Sequence, residues 1–210
     1  MKNTARRVTL AFLGIALAFT AQAQGDAKRG KQAYAVCQAC HGANGEGNKV
    51  LNAPRLSGQE DWYVARQLQN FKAGIRGAHP KDTFGMQMRP MAMTLPTDQA
   101  VQDVAAYTAT LKAPAAAPTM KGDTKAGKAA YAVCQACHGA NGEGNKVLNA
   151  PRLAGQEDWY VVRQLQNFKA GIRGAHPKDT FGMQMRPMAM TLANDAAINN
   201  VAAYIATLKE

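Results

Sequence analysis

Cysteine is scarce in this sequence, with only four in 210 residues. All four lie in two short motifs, Cys37 and Cys40, then Cys134 and Cys137, so none is left over for a disulfide framework. Long apolar runs are scarce too. The one run of note, Val8 to Phe19, is shorter than the roughly 20 residues that span a bilayer, and no later segment is long and apolar enough to cross a membrane. Acidic residues are outnumbered, 14 Asp and Glu against 25 Lys and Arg, for a formal net charge of +11. Such a balance points to nucleic acid, anionic lipid or an acidic protein partner. The cations are scattered rather than clustered, and no nucleic-acid-binding motif is present, which argues against nucleic acid. No stretch alternates apolar and polar residues as a strand would, so the fold class is all-α.

The N-terminus carries Lys2, Arg6 and Arg7, then the apolar run, then Ala21-Gln22-Ala23. A basic start, a short apolar core and a small-x-small site describe a secretory signal peptide over residues 1–23, cleaved after Ala23. The competing reading is an uncleaved anchor. Export would place the mature chain in the periplasm.

What the chain does have, it has twice. AVCQACHGANGEG occupies Ala35–Gly47 and returns at Ala132–Gly144. Its centre is Cys37-Gln38-Ala39-Cys40-His41, repeated as Cys134-Gln135-Ala136-Cys137-His138. C-x-x-C-H is the attachment pattern of a c-type haem. On a helical turn the two thiols share a face with the imidazole, so they can reach the two vinyl groups of one porphyrin while the His points at its iron. A tetrahedral zinc site would need two Cys pairs, or a Cys pair and a His pair, at short spacing. The pairs here stand 97 residues apart. A thioredoxin-like pair would need a preceding strand, whereas AKRGKQAYAVCQAC reads as a helix. Two motifs imply two covalently bound haem c groups.

The repetition extends well beyond the motif. Ala33–Leu95 and Ala130–Leu192 differ at two positions, Ser57 against Ala154 and Ala65 against Val162. A period of 97 residues is too long for a solenoid and suits two small domains. They are expected at 24–112 and 121–210, joined by an Ala- and Pro-rich extended linker at 113–120. Each should hold three helical stretches: one from the N-cap Asp26 (Asp123) to Cys40, one over Gln59–Ala73, and one after Thr97 (Asn194). In the second stretch Tyr63, Gln67 and Phe71 fall on one side; in the third, Val101, Val104, Tyr107 and Leu111 follow helical spacing. A domain this small can bury only a thin core, so an apolar porphyrin would fill the centre and the apoprotein should fold poorly.

The second axial ligand is left open by the residues alone. Met86, Met88, Met91 and Met93 crowd the segment Gly85–Leu95, and Met183, Met185, Met188 and Met190 repeat them. Pro90 places this segment in a loop, which argues against a helical stripe of core methionines. One thioether per domain can bind iron and would raise its potential. His79, in the loop AHPKDTFG, is the rival.

Taken together, CQACHG, NAPRLSGQ, MRPMAMTL and VAAY make each half resemble a class I cytochrome c, and the pair is similar to the dihaem cytochrome c4 family. The resemblance covers nearly all of residues 24–210. It implies that the carbonyls of Pro54 and Pro151 receive the imidazole protons of His41 and His138, that Met88 and Met185 are the axial methionines opposite them, and that Met91 and Met188 pack. It further implies that Gly30, Tyr34 and Tyr107 form the crossing of the first and last helices, repeated by Gly127, Tyr131 and Tyr204. The near identity of the halves departs from the family, whose halves are usually diverged, and with it goes any inherited expectation of two very different potentials.

The function implied is electron transport without substrate chemistry: single electrons carried between a respiratory donor and an oxidase or reductase, with redox proteins as partners through an acidic docking surface on their side. Peripheral membrane association is compatible with the basic charge. One alternative is the cytochrome subunit of a periplasmic dehydrogenase, as in a flavocytochrome. Another is a dihaem peroxidase, which would need two unlike haem environments.

Overall fold

The computed structural model describes residues 24–209, so the expected signal peptide lies outside the described residues. The first half contains α1 (Ala27–Ala33), a 3-10 turn at Tyr34–Val36, α2 (Gln38–His41), α3 (Asp61–Lys72), α4 (Thr83–Met93) and α5 (Asp98–Thr108). The second repeats it with α6 (Thr124–Tyr131), α7 (Gln135–His138), α8 (Asp158–Lys169), α9 (Thr180–Met190) and α10 (Asp195–Ile205). Among the described residues the only strand-like pairings are the isolated bridges Asn48–Ala53 and Asn145–Ala150.

Two expectations about elements need correcting. The stretch from Asp26 to Cys40 is not one helix. Asp26 does cap it, accepting from the backbone N–H of Lys28 and Arg29. The helix then tightens at Tyr34, whose hydroxyl donates to Gly42 O at 2.8 Å. A straight helix would carry Gly42 about 12 Å along the axis, beyond the reach of a tyrosine side chain. The chain therefore turns back on itself through the 3-10 segment. The second correction concerns residues 85–95, which are mostly helical rather than a loop, with Pro90 inside α4. Asp82 caps this helix through Gly85 N at 3.1 Å. Pro90 has no N–H to give to the preceding turn, and the packing of α4 on α3 holds the helix across that gap.

The cores are thin, as expected for domains of this size. Val64, Leu68, Phe71, Leu95, Val101 and Val104 form the first cluster; Val161, Val162, Leu192, Ile198, Val201 and Ile205 belong to the second. Each is closed by a helix crossing that leaves no room for a side chain. A Cβ on Gly30 would sit 1.9 Å from Asp103 O, and one on Gly127 2.0 Å from Asn200 O. Edge-on rings seal the crossings, Tyr34 on Tyr107 at 5.2 Å and Tyr131 on Tyr204 at 5.3 Å.

The linker is tethered at both ends. Arg55 donates to the carbonyls of Ala113 and Pro114. Asp158 accepts from Thr119 Oγ1 at 2.8 Å and from Met120 N at 2.7 Å. Between the halves, contacts run in reciprocal pairs. Arg76 donates to Tyr160 OH and Arg173 to Tyr63 OH, both at 2.9 Å. Arg66 holds Asn149 Oδ1 and Arg163 holds Asn52 Oδ1, both at 2.8 Å.

One ion pair breaks the repeat. Asp103 Oδ2 accepts from Arg29 Nε at 2.7 Å, and its Oδ1 from Asp26 N at 2.7 Å and Gln99 Nε2 at 2.8 Å. The corresponding residues in the second half are Asn200 and Ala126. The hydrogen bond from Arg29 holds the Asp103 carboxyl well below the usual carboxylate range. A depressed folded-state pKa contributes stability above the unfolded value, about 4, that is lost as the pH falls further. Below about pH 4 the first half should therefore lose stability faster than the second. Asp103→Asn should flatten that dependence, as followed by acid unfolding monitored at each haem.

Candidate haem sites

Each C-x-x-C-H motif closes one helical turn, with His41 N donating to Cys37 O and His138 N to Cys134 O at 2.9 Å. Cys37 and Cys134 are half-buried while Cys40 and Cys137 are exposed, and all four thiols are free. Burial pushes the Cys37 and Cys134 thiols up to about 11. The turn ends at Gly42, whose φ of +83° lets the backbone leave in a direction that a residue with a Cβ rarely takes.

The imidazoles are buried, and burial lowers their pKa, so they are neutral. His41 Nδ1 lies 2.7 Å from Pro54 O, and His138 Nδ1 lies 2.7 Å from Pro151 O. A carbonyl can only accept, so Nδ1 carries the proton and Nε2 keeps its lone pair. That is the tautomer and the orientation that a metal-binding histidine needs.

Beside these turns lies one continuous cavity walled by both halves. Cys37, Cys40 and His41 line it, and so do Cys134, Cys137 and His138. Apolar side chains from α3, α5, α8 and α10, among them Val64, Leu68, Phe71 and Val104 with their repeats, make up much of the wall. Met88 and Met91 line it, as do Met185 and Met188; Met86, Met93, Met183 and Met190 do not. Met88 is half-buried and packs on the first core, whereas Met91 is 38% exposed. His79 is absent from the wall, and its Nδ1 accepts from Lys81 N at 3.1 Å.

These residues fit a covalent haem. Paired thiols and an oriented imidazole stand on one wall, methionine sulfur is available in the same cavity, and the surface between them is largely apolar. The buried Nε atoms of Arg76 and Arg152, also on the wall, have no hydrogen-bond partner. A buried donor left without an acceptor on a guanidinium group suits the carboxylates that a haem carries. Among the described residues no three His, Cys, Asp or Glu side chains gather into a metal-binding group, which removes the tetrahedral zinc reading.

Sequence reasoning did not find the residues that join the two sites. Arg66 reaches across to Asn149 and stacks 4.5 Å from the Phe181 ring; Arg163 does the same at Asn52 and, at 4.6 Å, Phe84. The stripe Tyr63, Arg66, Gln67 on α3, repeated unchanged on α8, was the available signal. Nor was the one mismatch in the wall evident. Every wall residue of one half has the same residue at the matching position in the other, except Thr108, which is matched by Ile205.

Comparison with known proteins agrees with this geometry. The Cytochrome c family model matches twice, at residues 27–112 and 124–209. Cytochrome c4 of Azotobacter vinelandii is 38% identical over 197 residues, spanning 89% of this chain and 91% of that protein. A thiosulfate dehydrogenase electron acceptor of Stutzerimonas stutzeri is 31% identical, over 82% of this chain and 79% of its own. The crystal structure of reduced recombinant cytochrome c4 from Pseudomonas stutzeri superposes with a TM-score of 0.70 at 32% identity, covering 88% of this chain and 99% of that one. With two matched domains and relatives aligned over most of both lengths, the chain belongs to the cytochrome c family, as a dihaem electron-transfer protein of the cytochrome c4 type with two covalently bound haem c groups.

Proposed function

We propose that the chain is a periplasmic carrier of single electrons between a respiratory donor and an oxidase or reductase, exported by cleavage after Ala23. The observation that carries this reading is the repetition of one apolar, His- and Met-walled site in both halves, with the residues of both lining one cavity. Bound haem would supply a one-electron iron couple. The chain's own residues do the rest. His41 and His138, held by Pro54 and Pro151, would bind the iron, Met88 and Met185 would give it a second ligand, and the apolar walls would exclude water. Two nearly matching sites oppose the peroxidase alternative, which needs unlike ones.

The exposed apolar rim of the cavity is the docking edge in this reading. Val50 and Val147 are 88% and 89% exposed, next to Leu51 and Leu148, which are also exposed and line the cavity. A basic chain then favours a partner with an acidic surface. The similarity to an electron acceptor of thiosulfate dehydrogenase favours a second reading, in which the donor is a periplasmic dehydrogenase and the chain its cytochrome partner or subunit. Co-purification separates the two: a free carrier purifies alone. Among the described residues no helix is long and apolar enough to cross a membrane.

Ligation is tested by substitution within α4. Met88→Ala should abolish the far-red ferric band of sulfur–iron bonding in the first half and lower that haem's midpoint potential, while Met91→Ala should leave the band in place. The opposite result would move the ligand to Met91, and no change in either would reopen His79.

Carrier function is tested by a potentiometric titration followed optically, which should give two overlapping one-electron steps with low-spin spectra throughout. Thr108 sets the expected order. Its Oγ1 donates to Ala105 O at 2.8 Å, leaving oxygen lone pairs, which favour the more positive ferric state. The first haem should thus have the lower midpoint. Thr108→Ile should bring the two midpoints together and Ile205→Thr should lower the second; unchanged midpoints would assign the difference to another cause.

A further inference from the structure

The contacts between the halves are made by the same residues from both sides. Tyr63 meets Arg173 as Tyr160 meets Arg76, and Asn52 meets Arg163 as Asn149 meets Arg66. The amide of Gln59 donates to Arg152 O, and that of Gln156 to Arg55 O. The two differences within the long repeat lie elsewhere. Ser57 bonds within its own half, to Leu111 O and Ala113 N, and Ala65 and Val162 sit in the separate cores. At these contacts, the face that the first half presents is therefore the face that the second half presents. An interface in which residue i meets j and j meets i, between identical surfaces, is the kind that builds two-fold dimers.

We propose that this face is self-complementary, so that each half also binds a second copy of itself from another molecule of this chain. Pairing first half with first half brings together the same arginines, tyrosines and asparagines as the native pairing, with no change of charge among them. The tethers do not oppose it. Arg55 holds residues 113 and 114 in the first half, and Asp158 holds residues 119 and 120 in the second, so each half keeps its own anchor. Two contacts are not reciprocal: Arg55 N donates to Glu157 Oε2 at 3.0 Å, while Glu60 Oε2 has no partner, and Lys49 Nζ of the first half donates at 3.0 Å to Thr119 Oγ1, in the linker end that the second half holds. In the intact chain the two halves see each other at an effective concentration on the order of millimolar, so the internal pairing wins and the face is covered. When one half's face is lost, the other becomes free for a copy. A pair formed in this way sets haem cavities of two molecules against each other as they stand in one, which opens a route for electrons between molecules.

The test uses the full-length holoprotein with the second face removed by Tyr160→Ala, Arg163→Ala and Arg173→Ala together. Light scattering should then report twice the monomer mass, through pairing of two unaltered first halves. The mirror variant Tyr63→Ala, Arg66→Ala, Arg76→Ala should dimerise through its second halves, and the chain altered in both should be a monomer. The face under test is always in the unaltered half, whose own haem spectrum reports its integrity, so damage to the altered half does not remove it. A single-face variant that stays monomeric overturns the proposal, whether small-angle scattering finds its halves apart or still docked. The first outcome means that the free face has no affinity for its copy; the second means that these contacts are not what joins the halves. A dimer in the doubly altered chain overturns it as well, by assigning association to another surface.

Discussion

The bond from His41 Nδ1 to Pro54 O, 2.7 Å long, ties the haem-binding turn to the far side of a loop whose own backbone bonds, among them Gly47 N to His41 O and Leu56 N to Gly45 O, hold its shape. Between these residues the chain passes through glycines at positive φ and a single isolated bridge, with no helix. The bond fixes the tautomer, so the nitrogen that faces the cavity is the basic one, and it fixes the plane of the ring. Both outcomes depend on burial: an exposed imidazole would titrate near neutral pH and trade the carbonyl for water. Burial depends in turn on the helix crossing at Gly30, where the approach of α1 to α5 permits no Cβ, and on the Tyr34 hydroxyl that pulls Gly42 back under the helix. The site and the fold are thus one set of constraints. With so thin a core, much of the apolar wall faces a cavity rather than other side chains, which ties stability to the cofactor that fills it.

The same economy appears where the halves meet. Their interface is cationic and aromatic rather than apolar, with four guanidinium groups threaded between tyrosine, phenylalanine and asparagine side chains. No ion pair satisfies any of the four among the described residues. Buried guanidinium without a carboxylate is costly unless its hydrogen bonds are made. Here they are made largely across the interface, to tyrosine hydroxyl and to asparagine and glutamine oxygens.

Much of this was legible in the sequence, and the reasons for the rest are physical. The C-x-x-C-H turns, the repeat, the caps at Asp26, Thr97 and Asn194 and the absence of strands follow from local chemistry, which a single sequence records. α4 is not legible because a proline signals a helix break in sequence, whereas in the fold it removes one donor and tertiary packing carries the helix past it. The break at Tyr34 was missed because it is imposed by a bond to Gly42 that no periodicity reveals. The interface was missed for a different reason. Its residues are identical in both halves, so the pattern shows a conspicuous polar stripe on α3 and α8 without saying that each stripe faces the other.

Two copies in a reciprocal arrangement would be interchangeable, and any difference between the haems must come from where the symmetry fails. It fails chiefly where the near-exact repeat stops, in the first and last helices and the linker. Thr108 stands in the wall where Ile205 stands in the other half. Asp103 ties α5 to α1 through Arg29, while Asn200 makes only a neutral bond to Asp123 N. The linker covers Asp158, which is buried, whereas the matching Asp61 is exposed. The amide of Arg55 bonds Glu157, but the carboxylate of Glu60 has no such donor. These differences lie in the first and last helices of each copy and in or beside the connection between the copies. A preferred direction of electron flow, in a protein whose two cavity walls differ at one matched position, therefore rests on that residue and on the helices and joint around it rather than on the iron-binding residues themselves.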